Sequence, residues 1–404
     1  MIIGIVGGGA SGMAAAIEAS KDPNNQVILL ERQARVGRKL QATGNGRCNL
    51  SNLHALSGGY HGNNAEFALP ALSVYTPERV LAWFTDLGLV TVSEPSGRVY
   101  PYSDQANSVV DVLRFALQRE NIQLLTGFEV VKARKCDNGF IVESTDQRIT
   151  CDRLIIACGG LAGTKLGGSM SGYKLLRSFG HHVTRLRPAL VQIKSNWSGL
   201  AALKGVRANC DARIFCDGAL FSHSSGEIQF TEFGISGPVI FEISRDVCQS
   251  KGKWTCQLDL LPLVEDGDLL KLLIGRRSRN LLAEDLLTGI LHNRLGRVLV
   301  QSCGIRLQTP VSQLDVEDLV RVCRAVKGLE VDLTEPLGME SAQVTAGGIQ
   351  TDEFSPLTME SNLVPGLYAC GEVLDIDGDC GGYNLQWAWS SGRLAGLSAG
   401  KESL

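Results

Sequence analysis

An α/β fold carrying an inserted β-barrel or sandwich plus helical domain is expected from three observations. Residues 2–31 run strand, glycine loop, helix, strand, acid. Glycines cluster again just after that unit and near the C-terminus, at Gly371 and at Gly381-Gly382. From about Pro188 to about Glu335 the texture changes to short β-type runs and then helical patterns, before strands and glycines return near 342. The expected division is 1–187 and 336–404 for the α/β domain, 188–262 for an inserted β-rich substrate domain and 263–335 for a helical subdomain.

The chain has 404 residues, enough for two or three domains with their own cores. Lysine plus arginine is 39, aspartate plus glutamate 42, and the net charge is −3. That balance argues against bulk electrostatic binding to nucleic acid or an anionic membrane. No run of roughly 20 apolar residues suggests a membrane span. Met1–Val6 enters a strand with no basic leader, so a cytoplasmic location is expected. The 12 cysteines show no Cys-x-x-Cys pair and no zinc spacing, so reduced, mostly buried thiols and no metal are expected. Glycine is 46 of 404 without a Gly-X-Y period, which points to close backbone approach to a ligand.

In the first unit, the apolar run Ile2–Val6 leads into Gly7-Gly8-Gly9-Ala10-Ser11-Gly12 and then helix formers from Met13 to Ala19. Gly7, Gly9 and Gly12 occupy the three positions of the dinucleotide fingerprint. They allow a tight turn, approach of a pyrophosphate, and close helix–strand packing. The helix start at Ala10 and Ser11 offers free N–H groups and a positive dipole end to phosphate. The second strand, Gln26–Leu30, ends at Glu31, suited to an adenosine ribose, with Arg32 beside it. This is the signature of a Rossmann-like nucleotide-binding unit.

Gly37 to Asn52 mixes glycine and polar residues with three cations, as suits an ordered loop over an anion. Lys39, Leu40, Thr43, Gly44, Asn45, Gly46, Arg47, Cys48 and Asn49 are its candidate contacts. In two-dinucleotide-binding-domain flavoproteins this is where the chain passes the pyrophosphate towards the flavin, so FAD is expected rather than NAD. Flavin disulfide reductases need two cysteines here, and only Cys48 is present. Packing near the cofactor is therefore favoured over redox chemistry, although Arg47 beside it could lower its pKa.

These residues resemble the signature of the BaiN-like (YhiN-like) flavoprotein family, described as NAD(P)/FAD-dependent oxidoreductases, with some members called aminoacetone oxidase. Val344-Thr345-Ala346-Gly347-Gly348-Ile349, the segment from Thr358 to Asp375, and Gly381 to Gly392 support the same resemblance, as does Phe230-Thr231-Glu232-Phe233-Gly234-Ile235-Ser236-Gly237-Pro238. Glu232 stands where the family often has histidine. The resemblance covers nearly the whole chain and implies a flavin fold of the two-dinucleotide-binding-domain type. It also places Val130 near the adenine.

Helical spacing is expected over 107–120, strands at 122–125, 128–134 and 140–143, and a strand over 153–156 that returns the chain to the cofactor at Ala157, Gly159 and Gly160. A helix is expected over 172–180. The adjacent His181 and His182 have no neighbouring acid at ligand spacing, so no metal is assigned. Residues 190–262 suggest an antiparallel barrel or sandwich and 265–333 helices, the insertion roofing the flavin and shaping the substrate pocket. Arg276, Arg277 and Arg279 read as a solvated helix end rather than a nucleic-acid patch.

Near the C-terminus, Gly371-Glu372 follows a strand, where FAD enzymes commonly hold the ribityl chain with an acid. Asp375 is best placed for that chain. Gly382 precedes a helix from Tyr383 or Asn384 to Ala399, whose N–H groups would face the flavin N1/C2=O edge. Asn384 could add a side-chain contact. The weak catalytic candidates are Tyr383, Asp377 and Cys48.

The expected activity is FAD-dependent hydride transfer between flavin N5 and a small organic substrate. The family labels imply a steroid-like enone or a small amine. NADH or NADPH is the expected electron partner; with no second glycine fingerprint present, it either docks transiently or is unnecessary, oxygen or another acceptor taking the electrons. The alternative is an FAD-containing RNA-modifying or RNA-binding protein. No nucleic-acid or membrane partner is expected, and the oligomeric state is not legible.

Overall fold

The computed structural model describes residues 1–249 and 252–401. It separates into two compact units, Met1–Pro188 with Met339–Leu404, and Ala189–Gly338.

The first unit is built on a parallel sheet. In chain order the elements that position the site are β1 (Ile2–Val6), α1 (Ala10–Ala19), β2 (Gln26–Glu31), the two-residue β3 (Tyr60–His61), α2 (Ala106–Ala116), β4 (Ile122–Thr126), a meander of β5 (Lys132–Cys136), β6 (Gly139–Glu143) and β7 (Arg148–Cys151), β8 (Arg153–Ile156) and α3 (Ser171–Ser178). Ile3, Ile5, Val27 and Leu29 are almost fully buried, as expected where helices cover a parallel sheet on both faces. β1 pairs with β2 from Ile2↔Gln26 to Val6↔Leu30, and with β8 from Ile3↔Arg153 to Val6↔Ile156.

The second unit contains β9 (Ile193–Ser195), β10 (Arg207–Cys216), β11 (Ala219–Phe230), β12 (Gly234–Ser236), α4 (Pro238–Gln249), β13 (Trp254–Asp259), α5 (Asp266–Arg276), α6 (Asn293–Ser302), α7 (Val316–Lys327) and β14 (Leu329–Pro336). Six strands close a barrel in the order β9-β12-β11-β10-β13-β14. Closure leaves no edge strand to manage. Inward side chains alternate along each strand: Cys210, Ala212 and Ile214, then Trp254, Cys256 and Leu258. Burying Ile214, Ile228 or Phe230 contributes about 1.5–3 kcal/mol each. Two expectations need correction here. The helical pattern read over 265–333 overruns, because Leu329–Pro336 is the strand that closes the barrel. Pro238–Gln249, read as part of a β-rich stretch, is a helix.

The chain returns to the first unit with β15 (Leu367–Ala369), β16 (Asp377–Gly378) and α8 (Tyr383–Ala399). β15 completes the sheet in the order β15-β8-β1-β2-β4. β1 thus lies where the chain's connections diverge to opposite sides, and the loops after β1, β8 and β15 leave from the same sheet edge. In open α/β sheets that crevice is where ligands bind. Among the described residues no helix is long and apolar enough to cross a membrane.

Candidate functional site

The three fingerprint glycines are required for different reasons. A Cβ on Gly12 would run into the carbonyl of Gly7, and one on Gly7, at φ +111°, into that of Ala157. A Cβ on Gly9 would meet nothing within 4 Å. Gly7 and Gly12 are therefore packing glycines, whereas Gly9 faces open space. Gly9 is also the N-cap of α1 and offers no side-chain cap, so the first-turn N–H groups, including those of Ser11 and Gly12, point into that space unclaimed by a cap. Glu31 ends β2 beneath the loop. Its carboxylate accepts from Gly8 N–H and Gln33 N–H, each at 2.7 Å. Arg32 turns away to the carbonyl of Gly167 at 2.6 Å. Ala157 is tied to Val6 at 2.8 Å, which brings Gly159 and Gly160 beside the loop. Val130 is buried, four residues beyond the end of β4.

The second glycine segment is a run of unusual backbone. Gly44, Asn45, Gly46 and Cys48 all have positive φ. Gly46, like Gly9, has open space where a Cβ would be. Thr43 Oγ1 donates to Leu40 O at 2.7 Å, and Leu40 is buried in the core. Cys48 is fully buried, and burial pushes its thiol pKa up to about 12. Arg47 does not activate it: its guanidinium pairs with Asp104 and Glu94 and lies 4.1 Å over the Tyr100 ring. A neutral, inaccessible thiol is not a redox centre. Lys39 crosses to Glu372 at 2.8 Å, and Glu372 also accepts from Thr345 N–H at 2.8 Å. The two segments singled out separately, 37–52 and 371–372, are thereby joined.

α8 begins at Gly382, at φ +104°, again with no side-chain cap. A Cβ there would strike the carbonyl of Ser51 and approach Asn49 Oδ1. α8 runs parallel to α1, because Gly392 packs on Ser11 and Gly396 on Ala15 with no room for a Cβ at either. Gly392 lies level with Ser11, one residue into α1 and nine positions after Tyr383, so α8 starts about 12 Å beyond the start of α1. Two uncapped helix N-termini therefore point the same way, offset by a distance that a ribityl chain and part of a flavin ring bridge.

Several aromatic and polar candidates have partners within the protein. Trp387 and Trp389 are core residues whose indole N–H groups hold the carbonyls of Gly371 and Leu50. Asn384 spans Gly378, donating to its carbonyl at 2.7 Å and accepting from its N–H at 2.8 Å. Tyr383 is half-buried; its carbonyl accepts from Tyr60 OH at 3.2 Å, and the two rings meet edge to face at 5.8 Å. Asp375 and Asp377 are only 3% and 2% exposed, Asp375 accepting from Asn63 N–H. His61, which the sequence did not single out, lies across from Asp377 in the β3–β16 pair and bonds Asp379 at 2.6 Å.

A protein-family model described as the HI0933-like protein Rossmann domain matches residues 1–398. The chain belongs to this family. Its relatives include the 3-dehydro-bile acid delta(4,6)-reductase of Clostridium scindens, 40% identical and covering 98% of each chain. The ribosomal RNA dihydrouridine synthase of Escherichia coli is 32% identical over 96% of this chain and 95% of its own. Among solved structures, the 3-ketosteroid delta1-dehydrogenase of Sterolibacterium denitrificans shares the fold, with a TM-score of 0.50, 13% identity and 98% and 99% coverage. As sequence reading expected, this family member is an FAD-dependent oxidoreductase of the BaiN-like kind.

In the second unit, a cavity of about 590 Å³ is lined by Lys194, Trp197, Leu200, Glu232, Phe233 and Glu335, among others. Glu232, at the family motif's variable position, pairs with Lys204 at 2.7 Å. Arg276 ends α5, as expected, but is only partly exposed and donates to the carbonyls of Leu286 and Thr288. His181 and His182 share an acid after all, Glu353, at 2.8 and 2.6 Å. Among the described residues no group of three His, Cys, Asp or Glu is arranged to hold a metal.

Proposed function

We propose that the chain reduces a carbon–carbon double bond conjugated to a carbonyl, with a steroid-like enone as substrate and reduced nicotinamide as electron donor. The end-to-end 40% identity to a bile-acid reductase carries this reading. The same fold holds a second reading, reduction of a uracil ring in RNA, favoured by the 32% match to the dihydrouridine synthase. The chemistry is shared, since the uracil double bond is also conjugated to a carbonyl. Small-amine oxidation gains nothing from either relative.

In this reading FAD, when bound, supplies hydride at N5. Gly7, Gly9, Ala10, Ser11 and Gly12 hold its pyrophosphate, through backbone N–H groups at the start of α1. Glu31 exchanges its bond to Gly8 for the adenosine ribose, with Arg32, Val130, Ala157, Gly159 and Gly160 around that end. Lys39 and the loop from Thr43 to Asn49 pass along the pyrophosphate and ribityl chain. Gly371, Glu372 and Asp375 lie on its other side. The start of α8, at Gly382, Tyr383 and Asn384, gives N–H groups and a positive dipole end to the edge that becomes negative on reduction.

The test is an anaerobic titration of the purified protein with NADH and then NADPH, following the visible flavin band, and then addition of 4-androstene-3,17-dione. Bleaching by a nicotinamide and recovery with the steroid is the expected result. Recovery with a ribosomal RNA transcript but not with the steroid would transfer the conclusion to the second reading. Absence of a flavin band would reject both.

A further inference from the structure

We infer that His61, held by Asp379, donates the proton that completes the reduction; this rests on the reductase reading above. β3 is only two residues long. It pairs antiparallel with β16 through His61↔Asp377 and Tyr60↔Gly378. β16 ends five residues before α8 begins, so His61 sits at the uncapped start of that helix. That is the end of the cofactor site farthest from the phosphate loop, where the reacting ring would lie.

The pair is both positioned and reachable. His61 Nε2 lies 2.6 Å from Asp379 Oδ1, and the two side chains are 37% and 39% exposed. The neighbouring acids Asp375 and Asp377 are buried. Asp379 is fixed through its backbone, its N–H donating to Gly59 O at 2.9 Å. Gly59, at φ +82°, leaves no room for a Cβ between Asp379 and the Tyr383 ring. Asp379 thus sets the orientation of the imidazole, and Nδ1 has no protein partner among the described residues. A carboxylate on one ring nitrogen and an open second nitrogen is the arrangement of an oriented acid–base histidine. The other titratable groups nearby include Tyr60, Tyr383, Asp375, Asp377 and Cys380.

The step balances as follows. Hydride, with both electrons, adds to the β-carbon of the enone from reduced flavin, which is oxidised. The π electron pair shifts onto the carbonyl oxygen as an enolate. As the enolate collapses, its α-carbon takes the proton from His61 Nδ1, leaving neutral imidazole on Asp379. Solvent returns the proton to His61, and reduced nicotinamide restores the flavin.

The test isolates this half-reaction. The FAD-bound protein is reduced anaerobically with dithionite and mixed with 4-androstene-3,17-dione, and recovery of the flavin band is timed across pH. His61→Gln should slow recovery by about 10²–10⁴-fold. It should also abolish the fall in rate at high pH that deprotonation of the acid causes in the parent, with FAD content unchanged. Asp379→Asn should slow it by a smaller factor and displace the pH profile. Recovery at the parental rate and with the parental profile in His61→Gln overturns the assignment. If His61→Gln loses FAD, Asp379→Asn decides by the same two readouts. Failure of the unmodified protein to be reoxidised at all overturns the reductase reading itself, and the role of His61 with it.

Discussion

Burial decides charge state at Cys48 and His181 more than any sequence neighbour does. Cys48 follows Arg47, yet Arg47 is committed to Asp104 and the thiol is held neutral. His181 is 3% exposed, stacked at 4.4 Å on Phe354, and bonded to Glu353 and to Ser361 at 2.9 Å. Burial lowers its pKa more than the Glu353 carboxylate raises it. The folded state therefore binds fewer protons than the unfolded state below the ordinary histidine value of about 6.5. Its contribution is present above that value and declines as pH falls through it. Urea midpoints should rise from about pH 5.5 to 7.5, and His181→Asn should flatten that slope. Parallel curves for the two proteins would refute this assignment. Nothing local announces the site, because Glu353 lies 172 residues away in the chain.

The working element is the helix pair. α1 and α8 approach closely because Gly392 and Gly396 present no side chain to the α1 backbone. A buried ion pair, Arg393 to Glu18 at 2.9 Å, joins them, with Arg393 stacked 4.2 Å over Tyr75. The desolvation of such a buried pair largely offsets its Coulombic gain, whereas removing one partner alone is strongly destabilising. Because Gly9 faces open space, Gly9→Val should fold and lose FAD. Gly12→Ala should instead lose stability, having the Gly7 carbonyl in its way. Visible absorbance per protein and thermal melting of both variants check this; a folded Gly9→Val with full flavin occupancy would reject the phosphate-loop assignment.

For the whole molecule, charge bears on the choice between the two substrates. A net charge of −3 offers little bulk attraction to phosphate backbones. We expect a ribosomal RNA transcript to bind weakly even at low ionic strength, with a shallow dependence on salt. Tight binding that falls steeply with salt, measured by filter retention, would favour the RNA reading. Division into two units has a plain origin in the pattern of side chains. The first unit buries a near-continuous apolar sheet under helices, and the second buries the inner face of a closed barrel.

Sequence by itself determined the βαβ start with its glycine loop, the return strand at 153–156, the β-rich start of the insertion and the extent of the last helix, while closure of the barrel was decided by the structure. These are local: period, glycine placement and helix-starting residues suffice. Leu329, Val331 and Leu333 alternate with Glu330, Asp332 and Thr334, a strand signal that was present but read as the end of a helical stretch. Only the tertiary structure decided which distant residues meet. Lys39 reaches Glu372 across 333 positions, Ser51 reaches Gln386 across 335, and His61 reaches Asp379 across 318. Such contacts follow from strand order and helix packing, which bring distant segments to one sheet edge, and no local period encodes that distance.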